Sequence, residues 1–431
     1  MIIVDTALKK REAEGRPIQV GIVGAGYMGR GMALQIEKSI PGMRVAGIYN
    51  RNPETAKFAL QQCGIEDASQ ATSASDIESA VEHGKYVYCD DADLLCRAGN
   101  IDAIVEATGE VEFGAQVAMS AIEHGKHIIL MNAELDAVVG PILKNYADKA
   151  GVVVSNVDGD QPGVVMNLFR WVETIGYQPV LAGNIKGLQD HYRNPETQRG
   201  FAEKHKQKPK MITSFADGTK ISMEMAVVAN ATGFGVSVRG MRGPSCTHVT
   251  EATDCFSRDD LSSGGVVDFI LGAEPGPGVF VIGFNEQPVL QQYAHYLKMG
   301  EGPYYTFYIP YHLPHLESPL TVARAVLFED AAIAPMGAPF AEVLTAAKCN
   351  LKAGEVLDGI GGFHCYGLVD NIDVARAGDF VLMSLIEGCT LQRDIVKDDI
   401  ISYQDLTFPE NRLCDRLRRE QDRYFFKGVD K

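Results

Sequence analysis

The chain has 431 residues, a formal net charge of −16, 46% apolar and 22% charged residues. That length buries a substantial core and allows two or three domains, while a negative long-range field repels nucleic acid and anionic membranes, so neither is an expected partner. Nine cysteines, at positions 63, 89, 96, 246, 255, 349, 365, 389 and 414, form no Cys-x-x-Cys pair. The opening Met1-Ile2-Ile3-Val4-Asp5 is too short in its apolar part for a secretory leader, and no run approaches the roughly 18 apolar residues that cross a membrane. A reduced, cytoplasmic chain is the expectation.

Val20, Ile22 and Val23 predict a buried strand that runs directly into Gly24-Ala25-Gly26-Tyr27-Met28-Gly29, followed by a helical face carrying Met32, Ala33, Leu34 and Ile36. Strand, Gly-x-Gly-x-x-Gly and helix in that order predict a dinucleotide site. Gly24 permits the tight turn, Gly26 lets backbone approach a pyrophosphate, and Gly29 lets the helix pack close to the strand. The helix N-terminus adds free N–H groups and a partial positive charge. A second apolar run, Met43 to Tyr49, ends in Asn50-Arg51-Asn52-Pro53-Glu54. An NAD-selective site usually carries an acid at that tip, and none is present. Arg51 can pair with a 2′-phosphate and stack on adenine, or simply open the next helix as a solvated arginine. Asn50 and Arg51 therefore predict NADPH.

Ala103 to Gly109 reads as a parallel strand and turn, with a helix from about Phe113 to His124, a strand from His127 to Asn132 and another over Val152 to Ser155. Strand ends face the ligand in such sheets, so Thr108, Gly109 and Asn132 are expected to line the nicotinamide half of the groove. Residues 1–156 are thus an expected NAD(P)-binding domain, an α/β Rossmann fold with a doubly wound parallel sheet.

From Val157 the pattern changes. A helix opens at Asp158-Gly159-Asp160-Gln161-Pro162-Gly163, strands follow at Val180–Gly187 and Gly278–Gly283, Ser318-Pro319-Leu320 starts a helix, and a further helical pattern ends near Lys348. These features predict an α+β substrate and catalytic domain over 157–345. Short strands and turns then make residues 346–431 a small β-rich module, ended by a charged helix or tail from Arg412 to Arg423.

The densest polar cluster is Lys186, Gln189, Asp190, His191, Tyr192, Arg193 and Arg199. A lysine near a sheet end can protonate a carbonyl oxygen, and Arg193 or Arg199 can hold an anionic substrate group through paired donors. The alternative is a solvated loop. His312 and His315, three apart among prolines and tyrosines, can bind substrate phosphate, relay a proton, or cap the next helix. Glu224 lies on a predicted helix, either a buried acid at the site or a helix-face residue. Lys186, Asp190 and Glu224 are the catalytic candidates, and Asp160, Arg193, Arg199, His312 and His315 the substrate-binding ones. Asp160, Asp190 and Glu224 supply the hard oxygens that Mg²⁺ or Mn²⁺ takes.

The glycine turn, Glu106-Ala107-Thr108-Gly109, Met131-Asn132-Ala133-Glu134 and Gly183-Asn184-Ile185-Lys186-Gly187 resemble the homoserine dehydrogenase-like oxidoreductases with a C-terminal SAF domain. Leu351-Lys352-Ala353-Gly354-Glu355-Val356-Leu357-Asp358-Gly359-Ile360-Gly361-Gly362 carries the SAF part. The chain departs at Glu134, where homoserine dehydrogenases have lysine, which points away from homoserine as substrate. Within that group the chain is similar to the 1-deoxy-D-xylulose 5-phosphate reductoisomerase-like enzymes. That resemblance implies NADPH, a divalent metal, a phosphorylated small-molecule substrate, and a homodimer formed through the second domain. It also implies isomerising reduction of a ketose phosphate in isoprenoid precursor synthesis. Plain oxidation of a hydroxy acid, polyol or amino alcohol is the alternative chemistry. A dinucleotide-binding sensor, which needs only the cofactor groove, is the alternative outside enzymes.

Overall fold

The structure, a computed structural model, describes residues 3–426. Met1 and Ile2 of the predicted first domain and residues 427–431 of the predicted tail lie outside it. The chain forms two compact units. The first comprises the residues up to Gly163, Leu313–Ala334 and the chain from Arg416 on; the second comprises Val164–His312 and Pro335–Asp415.

In the first unit a seven-stranded parallel sheet contains β1 (Ile18–Val23), β2 (Met43–Tyr49), β3 (Ser69–Gln70), β4 (Val87–Cys89), β5 (Ala103–Glu106), β6 (His127–Leu130) and β7 (Val154–Asn156). Their order is β3-β4-β2-β1-β5-β6-β7. This is the expected doubly wound sheet, and its order reverses between β1 and β5, where ligand crevices open in such folds. The sequence dictates it: β1, β2 and β5 are almost wholly buried, as parallel strands covered on both faces require. Ile18, Val20, Ile22, Val45 and Ile48 are inaccessible to solvent, each worth roughly 1.5–3 kcal/mol of apolar burial. The helix Pro314–Phe328 contributes Val322, Ala323 and Ala325 to that same core. It begins four residues earlier than the Ser318 start expected, because Pro314 occupies its first turn and Pro319 is accommodated inside it. Pro in the first turn forfeits only an N–H with no intrahelical partner.

In the second unit β8 (Gln178–Lys186), β9 (Val266–Leu271), β10 (Val279–Phe284) and β11 (Tyr304–Ile309) form a mixed sheet in the order β11-β10-β8-β9. The buried helix Thr219–Thr232 accompanies it, with every residue through Ala231 buried. The helical pattern expected to end near Lys348 is instead β12 (Ala341–Ala347), paired antiparallel with β13 (Cys365–Asn371). All seven residues of β12 are buried, Glu342 and Thr345 among them, so its two polar residues fall three apart and the strand lacks the period-2 alternation that separates a strand from a helix. Beyond it, β14 (Thr390–Leu391) and β15 (Leu406–Thr407) pair, and the charged ending is a helix, Leu413–Phe425. All nine cysteines are free thiols. No helix among the described residues is long and apolar enough to cross a membrane.

Candidate functional site

The glycine turn is built for close approach. Gly24 has φ +109°, and a Cβ there would meet the Ala107 carbonyl oxygen at 2.9 Å; a Cβ on Gly29 would meet the Gly24 carbonyl oxygen at 1.8 Å. Both glycines are therefore sterically required, the first for the turn beside β5 and the second for helix against strand. Gly26 has open space where its Cβ would be. It starts the helix Tyr27–Ser39 with no side-chain cap and no acid in the first turn, leaving the first amides for an anion. These residues fit a dinucleotide diphosphate. Asn50 Oδ1 accepts the Ala25 N–H at 3.3 Å, so the polar tip of β2 braces the turn, while Arg51 is exposed beside it. Tyr49 stacks on Phe113 with ring centroids 5.4 Å apart.

Across the switch point, the turn after β5 is held by Glu106, a carboxylate with no solvent exposure. Its Oε1 accepts the Thr108 N–H at 2.8 Å and the Thr108 hydroxyl; its Oε2 accepts Asn132 Nδ2 at 2.8 Å. Asn132 caps the helix Ala133–Ala150 by accepting the Leu135 N–H at 3.1 Å. Burial pushes the Glu106 pKa up, against its donors. The pattern Ala-Ile-Val-Glu, an acid closing an apolar strand, was the available signal for this residue. In the same unit, Asp158 receives Arg324 Nη1 at 3.3 Å and the Thr321 hydroxyl at 3.1 Å, tying the turn after β7 to the helix Pro314–Phe328. Asp160 follows, buried.

His315 belongs to this unit, and its expected partner His312 to the other. The His315 ring lies where a Cβ on Gly31 would be, its Cδ2 2.6 Å from that position, and stands edge-on to Tyr27 with centroids 6.0 Å apart. It thus packs on the dinucleotide helix. Burial lowers its pKa, favouring the neutral ring.

In the second unit, Asn184 and Lys186 are two apart on β8 and share a face. Lys186 Nζ lies 3.5 Å from Glu224 Oε2, and Asn184 Nδ2 donates to the same oxygen at 2.9 Å. The Lys186 and Glu224 side chains are 16% and 3% exposed, so this ion pair is shielded from solvent. Lys220, one turn before Glu224, is also buried. Two of the three catalytic candidates are therefore in contact, and Asn184 is the partner that sequence reading had not singled out as a site residue.

Asp190 goes elsewhere: it receives Arg193 Nε at 2.9 Å and the Tyr192 N–H at 3.1 Å. This i,i+3 pair, each side chain over a third exposed, is the solvated-loop alternative for those two residues. Arg199 begins a six-residue helix and is exposed. Asp160 belongs to the first unit, Asp190 and Glu224 to the second; no group of three or more His, Cys, Asp or Glu poised for a metal occurs among the described residues.

Residues 18–131 match the family model described as oxidoreductase family, NAD-binding Rossmann fold, the GFO/IDH/MocA group. Residues 159–318 match that described as oxidoreductase DRL, catalytic domain. Both Lys186 and Glu224 fall in the second segment, and the module from residue 346 lies outside both. Among solved structures the chain is similar to a probable dehydrogenase from Thermotoga maritima (12% identity, 74% of this chain and 91% of that one, TM-score 0.43). It is also similar to the myo-inositol dehydrogenase of Lactobacillus casei in complex with NAD(H) and myo-inositol (14% identity, 68% and 74%, TM-score 0.40). No curated protein matches.

Proposed function

We propose that this pyridine-nucleotide-dependent oxidoreductase uses NADPH to reduce a phosphorylated hydroxy-carbonyl compound. Its sharpest form is the isomerising reduction of 1-deoxy-D-xylulose 5-phosphate to 2-C-methyl-D-erythritol 4-phosphate. The observation that carries the reading is the shielded Lys186–Glu224 pair, braced by Asn184, inside the segment that matches an oxidoreductase catalytic domain. Lys186 would stabilise and protonate the carbonyl oxygen as it gains charge, a role for a cation already held in place. Glu224 and Asn184 would orient that ammonium. Bound NADPH supplies the hydride. Gly24, Ala25, Gly26, Tyr27, Met28 and Gly29 would hold its diphosphate, Asn50 and Arg51 its adenosine phosphate, and Thr108, Gly109 and Asn132 its nicotinamide half. The homodimer and the SAF-like reading of residues 346–431 belong to the same resemblance and stand or fall with it.

The test is oxidation of NADPH by the purified protein with 1-deoxy-D-xylulose 5-phosphate, with and without Mg²⁺ or Mn²⁺, beside aspartate semialdehyde. Turnover with the ketose phosphate, reduced about 10²- to 10⁴-fold in Lys186→Met, is the expected result. Activity with the semialdehyde alone overturns the substrate. Unchanged turnover in Lys186→Met removes the lysine from the chemistry. Cofactor binding with no turnover on either compound favours the sensor.

A further inference from the structure

The turns after β5 and β6 are separate in sequence, yet one buried side chain holds both. Glu106 offers two oxygens, and three donors converge on them: the Thr108 N–H, the Thr108 hydroxyl and Asn132 Nδ2. Thr108 is held again on its other side, since the Gly24 turn packs against Ala107 so closely that a Cβ on Gly24 would stand 3.2 Å from the Thr108 nitrogen. Asn132 is held again too, through Nδ2 to the Glu110 carbonyl at 3.2 Å and through Oδ1 from the Leu135 N–H. Gly114 completes the enclosure, for a Cβ there would meet Asn132 Nδ2 at 2.9 Å and Glu106 Oε2 at 3.2 Å. A carboxylate taken wholly out of water is costly, and a merely structural clamp between two turns does not need one. In the ionised form, which the three donors favour, the group only accepts, and that adds direction: it obliges Thr108 and Asn132 to point their donors inward.

We propose that Glu106 is a positioning residue for the nicotinamide half of the cofactor, acting through Thr108 and Asn132. The proposal rests on the reading that Thr108, Gly109 and Asn132 line that half. Fixing the Thr108 hydroxyl and the Asn132 amide toward Glu106, with one hydroxyl lone pair accepting the Glu110 N–H at 3.3 Å, leaves the other lone pair and the Thr108-Gly109 backbone as the groups that meet the nicotinamide ribose and carboxamide. Glu106→Gln keeps the shape but replaces one acceptor oxygen with an NH₂ that faces a donor, so one of the two turns must turn away.

The experiment compares, in each variant, the Kd of the reduced dinucleotide with that of its adenine half alone: NADPH with 2′,5′-ADP, and NADH with ADP. In Glu106→Gln the whole dinucleotide is expected to weaken about tenfold while the adenine half stays within about twofold. Equal affinity for the dinucleotide, or equal weakening of both ligands, overturns the proposal. Thr108→Val separates the two layers. If it weakens the dinucleotide while Glu106→Gln does not, the lining is right and the role of Glu106 is wrong. If neither does, the lining itself is wrong. Should Glu106→Gln fail to fold, Gly114→Ala decides, because it presses on the Asn132–Glu106 pair without removing a charge; an unchanged ratio of dinucleotide to adenine-half affinity there overturns the proposal.

Discussion

Removing the charge of Asp136 should raise stability at alkaline pH much more than at acid pH. Asp136 lies in the first turn of the helix Ala133–Ala150 and is 1% exposed. Its carboxylate receives Asn156 Nδ2, and burial pushes its pKa from 3.8 to about 7. The unfolded chain ionises near the ordinary value and the folded chain near 7, so between those limits the folded state binds more protons. Stability therefore falls as pH rises through that window and the loss is complete above it. At about 1.4 kcal/mol per pKa unit the full loss is roughly 4 kcal/mol, of which only about 1–2 kcal/mol has accrued at pH 5. The helix N-terminus favours the anion by about 0.3–1 kcal/mol, too little to reverse the sign. Asp136→Asn keeps the shape and can turn its amide oxygen to Asn156. Thermal melts at about pH 5 and pH 8 should show the variant's advantage larger at pH 8 by roughly 3 kcal/mol, or about 6–12 °C in Tm for a domain of this size. An advantage that is the same at both pH values, or larger at pH 5, refutes the reasoning, because Asp136 would then be ionised throughout.

Two further outcomes concern a buried ion pair and the tip of β2. Lys348, just past β12, donates to Asp217 Oδ2 at 2.8 Å and to the Gly362 carbonyl at 2.7 Å, both partners of the ion pair being almost wholly buried. Lys348→Met should cost about 3–5 kcal/mol by stranding Asp217, and Lys348→Met with Asp217→Asn distinctly less; denaturant midpoints of the two variants check this. Arg51→Ala should weaken NADPH about tenfold and leave NADH within about twofold, if the guanidinium takes the 2′-phosphate; ligand titration measures both.

The cofactor half was legible in the sequence because its logic is local. Strand, glycine turn and helix are consecutive, and the sterics at Gly24 and Gly29 involve neighbours a few residues away or the adjacent strand. The buried Lys186–Glu224 pair was harder, since the two residues lie on different elements and meet only through packing. Asp190 looked equivalent to Glu224 on paper, but Arg193, three residues on, captured it at the surface. Glu106 was visible as a residue and invisible as a hub, because its partner Asn132 is 26 positions away. Strand β12 was misread as helix for a different reason. With all seven residues buried, the polar ones do not alternate as they would in a half-exposed strand, and only pairing with β13 decides the matter.

The return of Leu313–Ala334 to the first unit fixes the order in which this protein can mature on the ribosome. Val322, Ala323 and Ala325 complete a core whose other walls are β1, β2 and β5, yet they emerge only after the whole of Val164–His312 has been made. At 5–20 residues per second that interval is roughly 7–30 s. During it the nascent Rossmann sheet has an open apolar flank. A protein cut after Gly163 would keep that flank open permanently, so the cofactor-binding half is not a detachable cassette; moving it to another chain requires grafting the later helix with it.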